Sequence, residues 1–186
     1  MKLVCLLEER SAKEVLKVIL PRILPQGVLF ETYAFEGKRD LKRKLQHHIQ
    51  YWQGNGDVFL VLMDQDGDDC VAAKDDLVEI IKKTGKAGRT LVRIACHELK
   101  NFFLGDLAAV EQGLSIRGLS EKQGMSKYRA PDKLANAPDE LKKLTKNEYS
   151  KISGSRRIAP FLKIDGSSRS TSFNNLVRGI KKLVEG

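Results

Sequence analysis

The amino-acid sequence predicts an α/β fold, a mostly parallel sheet flanked by helices, on three observations. Short apolar runs rich in β-branched residues alternate with amphipathic helical patterns from Lys2 to Cys96. One of these runs, Val58–Met63, is apolar at every position, as a strand buried on both faces must be. Acids follow the runs at Glu8-Glu9, at Asp64, Asp66, Asp68 and Asp69, and at Glu98, and parallel sheets gather their ligand sites beyond the carboxyl ends of the strands.

Taken in order, Lys2–Leu7 is the first expected strand. Ser11-Ala-Lys-Glu14 has the spacing of a capping box, which starts a helix carrying Val15, Leu16, Val18, Ile19 and Leu20 inward until Pro21 breaks it. Val28–Phe35 is a second strand. Lys38 to about Gln53 is a basic amphipathic helix with Leu41, Leu45, Ile49 and Trp52 inward. Val58–Met63 is the central strand, Val71–Lys83 the next helix, and Leu91–Cys96 the fourth strand. This alternation implies right-handed crossovers and one rim on which the strand-end acids converge. Beyond Asn101 a short helix is expected at Leu107–Gln112, a basic loop from Gly113 to Pro131, and helices at Pro138–Lys146, within Ile152–Leu162 and at Phe173–Val184. Loops as long as Gly113–Pro131 are functional or mobile in compact domains. The organisation expected is an α/β core over residues 1–112 and a basic helical extension over 113–186, packed on that core.

The 186 residues carry a net charge of +9, distributed unevenly. Residues 1–116 hold 17 Lys/Arg and 17 Asp/Glu, whereas residues 117–186 hold 16 and 7. A neutral part with a clustered acidic loop, joined to a basic part, suits a metal-dependent enzyme acting on a polyanion. Solubility alone accounts for lysine-rich helices equally well. No apolar run approaches the ~20 residues of a membrane span, and Met1-Lys2-Leu3 leads into a strand rather than a cleavable leader, so no membrane association and a cytoplasmic location are expected. The three cysteines, Cys5, Cys70 and Cys96, lack C-x-x-C spacing, which argues against a disulfide framework and a zinc site.

The acidic loop after the central strand carries the chemistry. Two carboxylates about 4 Å apart repel by ~4 kcal/mol at an effective dielectric near 20, so they require a cation or a proton. Oxygen donors select a hard ion such as Mg²⁺ or Mn²⁺. An EF-hand loop is excluded, because Asp69 falls where glycine is needed and Asp75 where glutamate is needed. Strand-Asp-x-Asp also has the form of an aspartyl phosphatase of the haloacid dehalogenase type, with Asp64 as nucleophile, but no later strand with paired acids accompanies it. A solvated turn is the plain alternative for the loop, and a strand-end polar residue is the plain alternative for His97. Farther on, Asp165-Gly-Ser-Ser-Arg169-Ser-Thr-Ser172 offers hydroxyls, Arg169 and a helix start suited to an anion such as phosphate. Helix capping by Thr171 or Ser172 explains the same residues.

Glu8 after the first strand, followed by Asp64-x-Asp66 after the third, resembles the constellation of the Toprim domains of topoisomerases, primases and OLD-type nucleases. Seven ordered motifs extend the likeness: Phe35–Leu41, Asp64–Cys70, Arg93–Leu99, Phe102–Asp106, Tyr128–Asp132, Arg157–Pro160 and Ser168–Phe173 together resemble domain-of-unknown-function family 4276, a Toprim-like group. The resemblance implies a Toprim-like, Rossmann-like sheet, with Glu8 in proton transfer and Asp64 and Asp66 as ligands of Mg²⁺, helped by Asp68 and Glu98. It also implies nuclease activity in phage-defence or mobile-element settings. The family's E-E-L-E-A-W stretch is here His97-Glu98-Leu99-Lys100-Asn101-Phe102. Glu98 is retained, and His97 and Lys100 stand where acids stand in the family, which bears on a second metal site.

The function expected is a Mg²⁺- or Mn²⁺-dependent phosphodiesterase acting on DNA or RNA. Lys38, Arg117, Lys127, Arg129, Arg157 and Arg169 are the candidate phosphate contacts. The alternative from another class is a non-catalytic Toprim-like subunit that binds nucleic acid or an ATPase partner protein. The aspartyl phosphatase is the third reading.

Overall fold

The computed structural model describes residues 1–186. Its framework is β1 (Lys2–Leu7), α1 (Arg10–Ile23), β2 (Leu29–Ala34), α2 (Lys38–Gln50), β3 (Val58–Asp64), α3 (Cys70–Lys82) and β4 (Thr90–Ala95). The four strands form one all-parallel sheet in the order β2-β1-β3-β4. The order places β1 and β3, the two strands that end in Glu8 and Asp64, side by side at its centre.

Every residue of β3 is buried, and period-2 alternation sends its side chains to two cores. Leu3, Cys5, Leu7, Leu60 and Leu62 pack under α1 and the helices that follow β4. Val4, Leu6, Phe59, Val61 and Met63 pack under α2 and α3, against Leu41, Leu45, Ile49 and Leu77. Burial on both faces explains why this strand reads as an unbroken apolar run rather than an alternating one.

After β4 the chain continues as α4 (Lys100–Leu104), α5 (Leu107–Leu114), α6 (Ser126–Arg129), α7 (Ala137–Leu144), α8 (Ser153–Ile158) and α9 (Thr171–Glu185), with short 3-10 turns between them. These helices do not build a core of their own. Leu104, Val110, Leu141, Ile158, Phe173 and Ile180 join the same apolar cluster as Leu3 and Leu60. A boundary at residue 112 falls inside α5, and the two stretches share one core.

Several local expectations are corrected. Glu9, not Ser11, is the N-cap of α1, and no side chain caps it. Ser11 is buried within the helix and its hydroxyl donates to the Glu9 carboxylate, while Glu14 pairs with Arg156 instead of reaching back. Pro21 lies inside α1, which continues to Ile23, because a missing N–H within the last turn costs only one hydrogen bond. Gly113–Pro131 is not an open loop. The Glu111 carboxylate accepts from the N–H groups of Leu119 and Ser120 at 2.7 and 2.8 Å, and the Gln123 amide donates to Leu104 and Tyr128 carbonyls. No helix is long and apolar enough to cross a membrane.

Candidate functional site

The carboxyl ends of β1, β3 and β4 meet on one rim. Backbone pairing continues one residue past β1, where the Glu8 N–H donates to the Leu62 carbonyl at 3.1 Å. The Glu8 carboxylate turns to the neighbouring strand and accepts from the Asp64 N–H at 2.8 Å. Partial burial raises the pKa of Glu8, and the charges of Asp66 and Glu9 add to the rise, against the pull of the Asp64 N–H and of Lys38. Glu8 therefore holds a proton more readily than an exposed glutamate does.

Asp64 goes deeper. It is 7% exposed, and its Oδ1 accepts from the Leu99 N–H at 3.1 Å. Burial pushes its pKa well above the ordinary carboxylate value, with the charges of Glu9 and Glu8 adding, while Lys100 and the Leu99 N–H oppose. Lys100, itself buried, places its ammonium 2.9 Å from Glu98 and 3.4 Å from Glu9. Lys151 reaches Glu9 from the segment before α8. Burial raises the Glu9 carboxyl, but Lys100, Lys151 and Ser11 outweigh it and leave the pKa lowered. This half of the rim thus gathers Glu9, Asp64 and Glu98 around one internal cation, with Glu8 on the Asp64 N–H beside them.

The other half is open to solvent. Asp66 has φ 53° and His97 φ 54°, both in the left-handed region that non-glycine residues seldom occupy. The two are locked together, since the Asp66 N–H donates to the His97 carbonyl at 2.6 Å and the His97 N–H donates to the Gln65 Oε1 at 3.0 Å. The strained turn holds Asp66 and Asp68 so that both face the Lys38 ammonium, at 3.0 and 2.8 Å. The same ammonium donates to the Gln65 carbonyl at 2.7 Å. Two carboxylates and one carbonyl oxygen thus surround a single positive charge.

Comparison with known families matches residues 7–181 to the model of a domain of unknown function, DUF4276. The chain belongs to the DUF4276 family. No curated protein and no solved structure matches it. The matched span begins at the end of β1 and extends into α9, so this DUF4276 domain takes in the rim and the helices beyond β4 alike.

Of the residues expected to hold a metal, the DUF4276 rim brings Glu8 onto Asp64 and brings Asp66 beside Asp68, while Glu98 is taken by Lys100. No three His, Cys, Asp or Glu side chains converge on one point. The donor chemistry still fits a hard cation. Asp66, Asp68 and the Gln65 carbonyl present oxygens alone, and they already hold a positive charge in the Lys38 ammonium. A divalent ion would take that place by displacing the lysine.

The expected phosphate contacts do not form one cluster of unpaired charges. Arg117, Arg129, Arg157 and Arg169 are exposed, with the Arg129 Nε bound to the Gly124 carbonyl at 2.9 Å. Lys127 is neutralised by Glu140, and Lys38 by the acidic loop. The Ser168–Ser172 segment holds the chain's own anion. The Asp132 carboxylate accepts from the Ser170 hydroxyl at 2.7 Å and the Ser172 N–H at 2.8 Å, and Ser170 rather than Thr171 or Ser172 caps α9. The capping residue is thus corrected to Ser170, and the N–H of Ser172 and the hydroxyl of Ser170 are already engaged by Asp132. Glu9 lies on the rim as the strand-end acids predict, and what sequence reasoning missed is Lys100 as their internal cation. A lysine beside Leu99, Phe102 and Phe103 was the available signal.

Proposed function

We propose that this protein is a Mg²⁺- or Mn²⁺-dependent phosphodiesterase of Toprim type acting on nucleic acid. The observation that supports it best is the Glu8–Asp64 junction, where a carboxyl with raised proton affinity lies against a buried aspartate at the carboxyl ends of the two central strands. A carboxyl whose hold on a proton is strengthened is better matched to general acid/base catalysis than an exposed glutamate is. In this reading Glu8 moves the proton of the attacking or leaving oxygen. Asp64 and Asp66 hold the ion, with Asp68 and Glu98 assisting, and the ion when bound polarises the scissile phosphate. The Asp64 N–H fixes one Glu8 oxygen, so the carboxyl keeps its aim while its proton moves. The basic surface supplies the salt-dependent part of substrate binding.

Calorimetric titration of Mg²⁺ or Mn²⁺ into the wild type and Asp64→Asn/Asp66→Asn, followed by a nuclease assay on the same samples, tests the proposal. Binding and metal-dependent cleavage in the wild type, both lost in the variant, support it. Binding without cleavage turns the reading to a partner-dependent or regulatory module, and the absence of binding sinks it.

One observation favours a second reading. Lys38 and Lys100 already neutralise the acids on both halves of the rim, as in a subunit that keeps the fold and uses the acids structurally while binding nucleic acid or an ATPase partner. Function that survives Asp64→Asn in a folded protein would select this reading over the first.

A further inference from the structure

β4 is an edge strand, so one side of it meets no neighbour in the sheet. Along that side, between α3 and α9, runs a groove of about 400 Å³. One end lies at Cys70 and Cys96, the residues that follow the acidic loop and precede His97, so the groove leads away from the rim. Lys74, Arg93 and Arg178 line it. Its one acidic residue, Asp132, is turned to Ser170 and Ser172 at the start of α9.

The two arginines are held by uncharged groups alone. The half-buried Arg93 donates from Nη1 to the Val92 carbonyl at 2.9 Å and from Nε to the Asn175 carbonyl at 3.2 Å. Its Nη2 lies over Gly179, where a Cβ would approach it to 2.6 Å. Arg178 donates to the Asn175 Oδ1 at 2.7 Å. Burial, and then the charge of Arg178, lowers the Arg93 pKa. Two guanidiniums that line one groove, share Asn175 and have no carboxylate partner repel, and the partial burial of Arg93 makes that costlier. An anion between them relieves both effects, and the planar fork of arginine matches phosphate oxygens.

We infer that the β4 edge groove binds phosphates of a nucleic-acid backbone through Arg93 and Arg178, with Lys74 as an outer contact. The choice of a backbone over a free phosphate rests on the function proposed above, and on the groove's leading out from the rim. The anion site itself stands on the groove and its paired arginines.

The test is fluorescence anisotropy with a fluorescein-labelled single-stranded oligonucleotide, on the full chain and over a range of salt. Arg93→Gln and Arg178→Gln should each weaken binding about tenfold, the loss of one charge-assisted contact. The double variant should lower the salt slope by about 1.4, two phosphates at ~0.7 each for a single strand. Lys142→Gln/Lys143→Gln, which removes equal charge from exposed positions on α7, should shift affinity by less than about twofold. Equal losses in the two double variants would mean undirected surface charge and overturn the inference, as would an unaffected Arg178→Gln. Arg178 is exposed on α9, so its variant remains informative if Arg93→Gln fails to fold. Inorganic phosphate that binds the groove while the oligonucleotide does not would overturn the backbone assignment. The anisotropy is read in chelator, where no divalent ion contributes to binding, so failure of the groove is seen apart from failure of the rim chemistry, which the Mg²⁺ titration and the nuclease assay read.

Discussion

The inner and outer halves of the rim are built from the same groups, carboxylates around a lysine, and burial alone makes them different devices. In the inner half Lys100 and Asp64 are almost out of solvent, and the ammonium serves Glu98 and Glu9 at once. In the outer half Lys38 meets Asp66 and Asp68, each more than half exposed. Withdrawn charges cannot turn to water when a partner is lost, whereas exposed ones can. The ion pairs of Lys100 with Glu9 and Glu98 therefore belong to the fold. The outer network is exchangeable, because a divalent ion has only to displace the Lys38 ammonium from two exposed carboxylates.

The largest effect that would break this contrast lies at Lys100. Lys100→Met should destabilise the protein by about 3–5 kcal/mol, the cost of leaving Glu98 without its partner and the buried Asp64 without its nearby cation, measured as the shift in a urea unfolding midpoint. A loss below about 1 kcal/mol would place the inner half in the same class as the outer. Next comes the ion. Mn²⁺ at 100 times its dissociation constant should stabilise the wild type by about 2.7 kcal/mol and leave Asp66→Asn/Asp68→Asn unchanged.

The pH response distinguishes the halves through Asp64. Its folded pKa is raised, so the folded state binds this proton more tightly than the unfolded chain does. The stability it contributes is full below the ordinary aspartate value of 3.8 and is lost as pH rises through the folded value. In chelator, Asp64→Asn should remove that decline, and unchanged pH profiles would refute the burial argument. Lys38→Met should be the mildest change, altering stability by less than about 1 kcal/mol while tightening Mg²⁺ binding, because the competing ammonium is gone. Weaker Mg²⁺ binding in that variant would mean that Lys38 supports the seat rather than occupying it.

Much of the frame is legible in the sequence because strand burial and helix amphipathicity are local patterns. The four strands, the helices at Lys38 and Cys70 and the converging acids all follow from residues close in the chain. What is not legible depends on partners far apart. Ser11 has the spacing of a cap, yet Glu9 is placed first by its lysines, Lys100 and Lys151, which come from beyond β4. At the start of α9, Asp132 arrives from another loop to engage Ser170 and Ser172. The helix at Lys100–Leu104 was hidden because it is too short to show a period. Arg93 and Arg178 carry no motif and become a pair only when α9 lies against β4.

That last contact also sets an order of events during synthesis. β1 to β4 leave the ribosome well before α9, so the sheet exists as a chain long before Phe173, Leu176 and Ile180 can cover the face that carries Leu60 and Leu62. Until then the nascent protein presents an uncovered apolar face and an open strand edge, the two features that recruit chaperones and favour mispairing. The helix that completes the groove is also the one that ends this exposure.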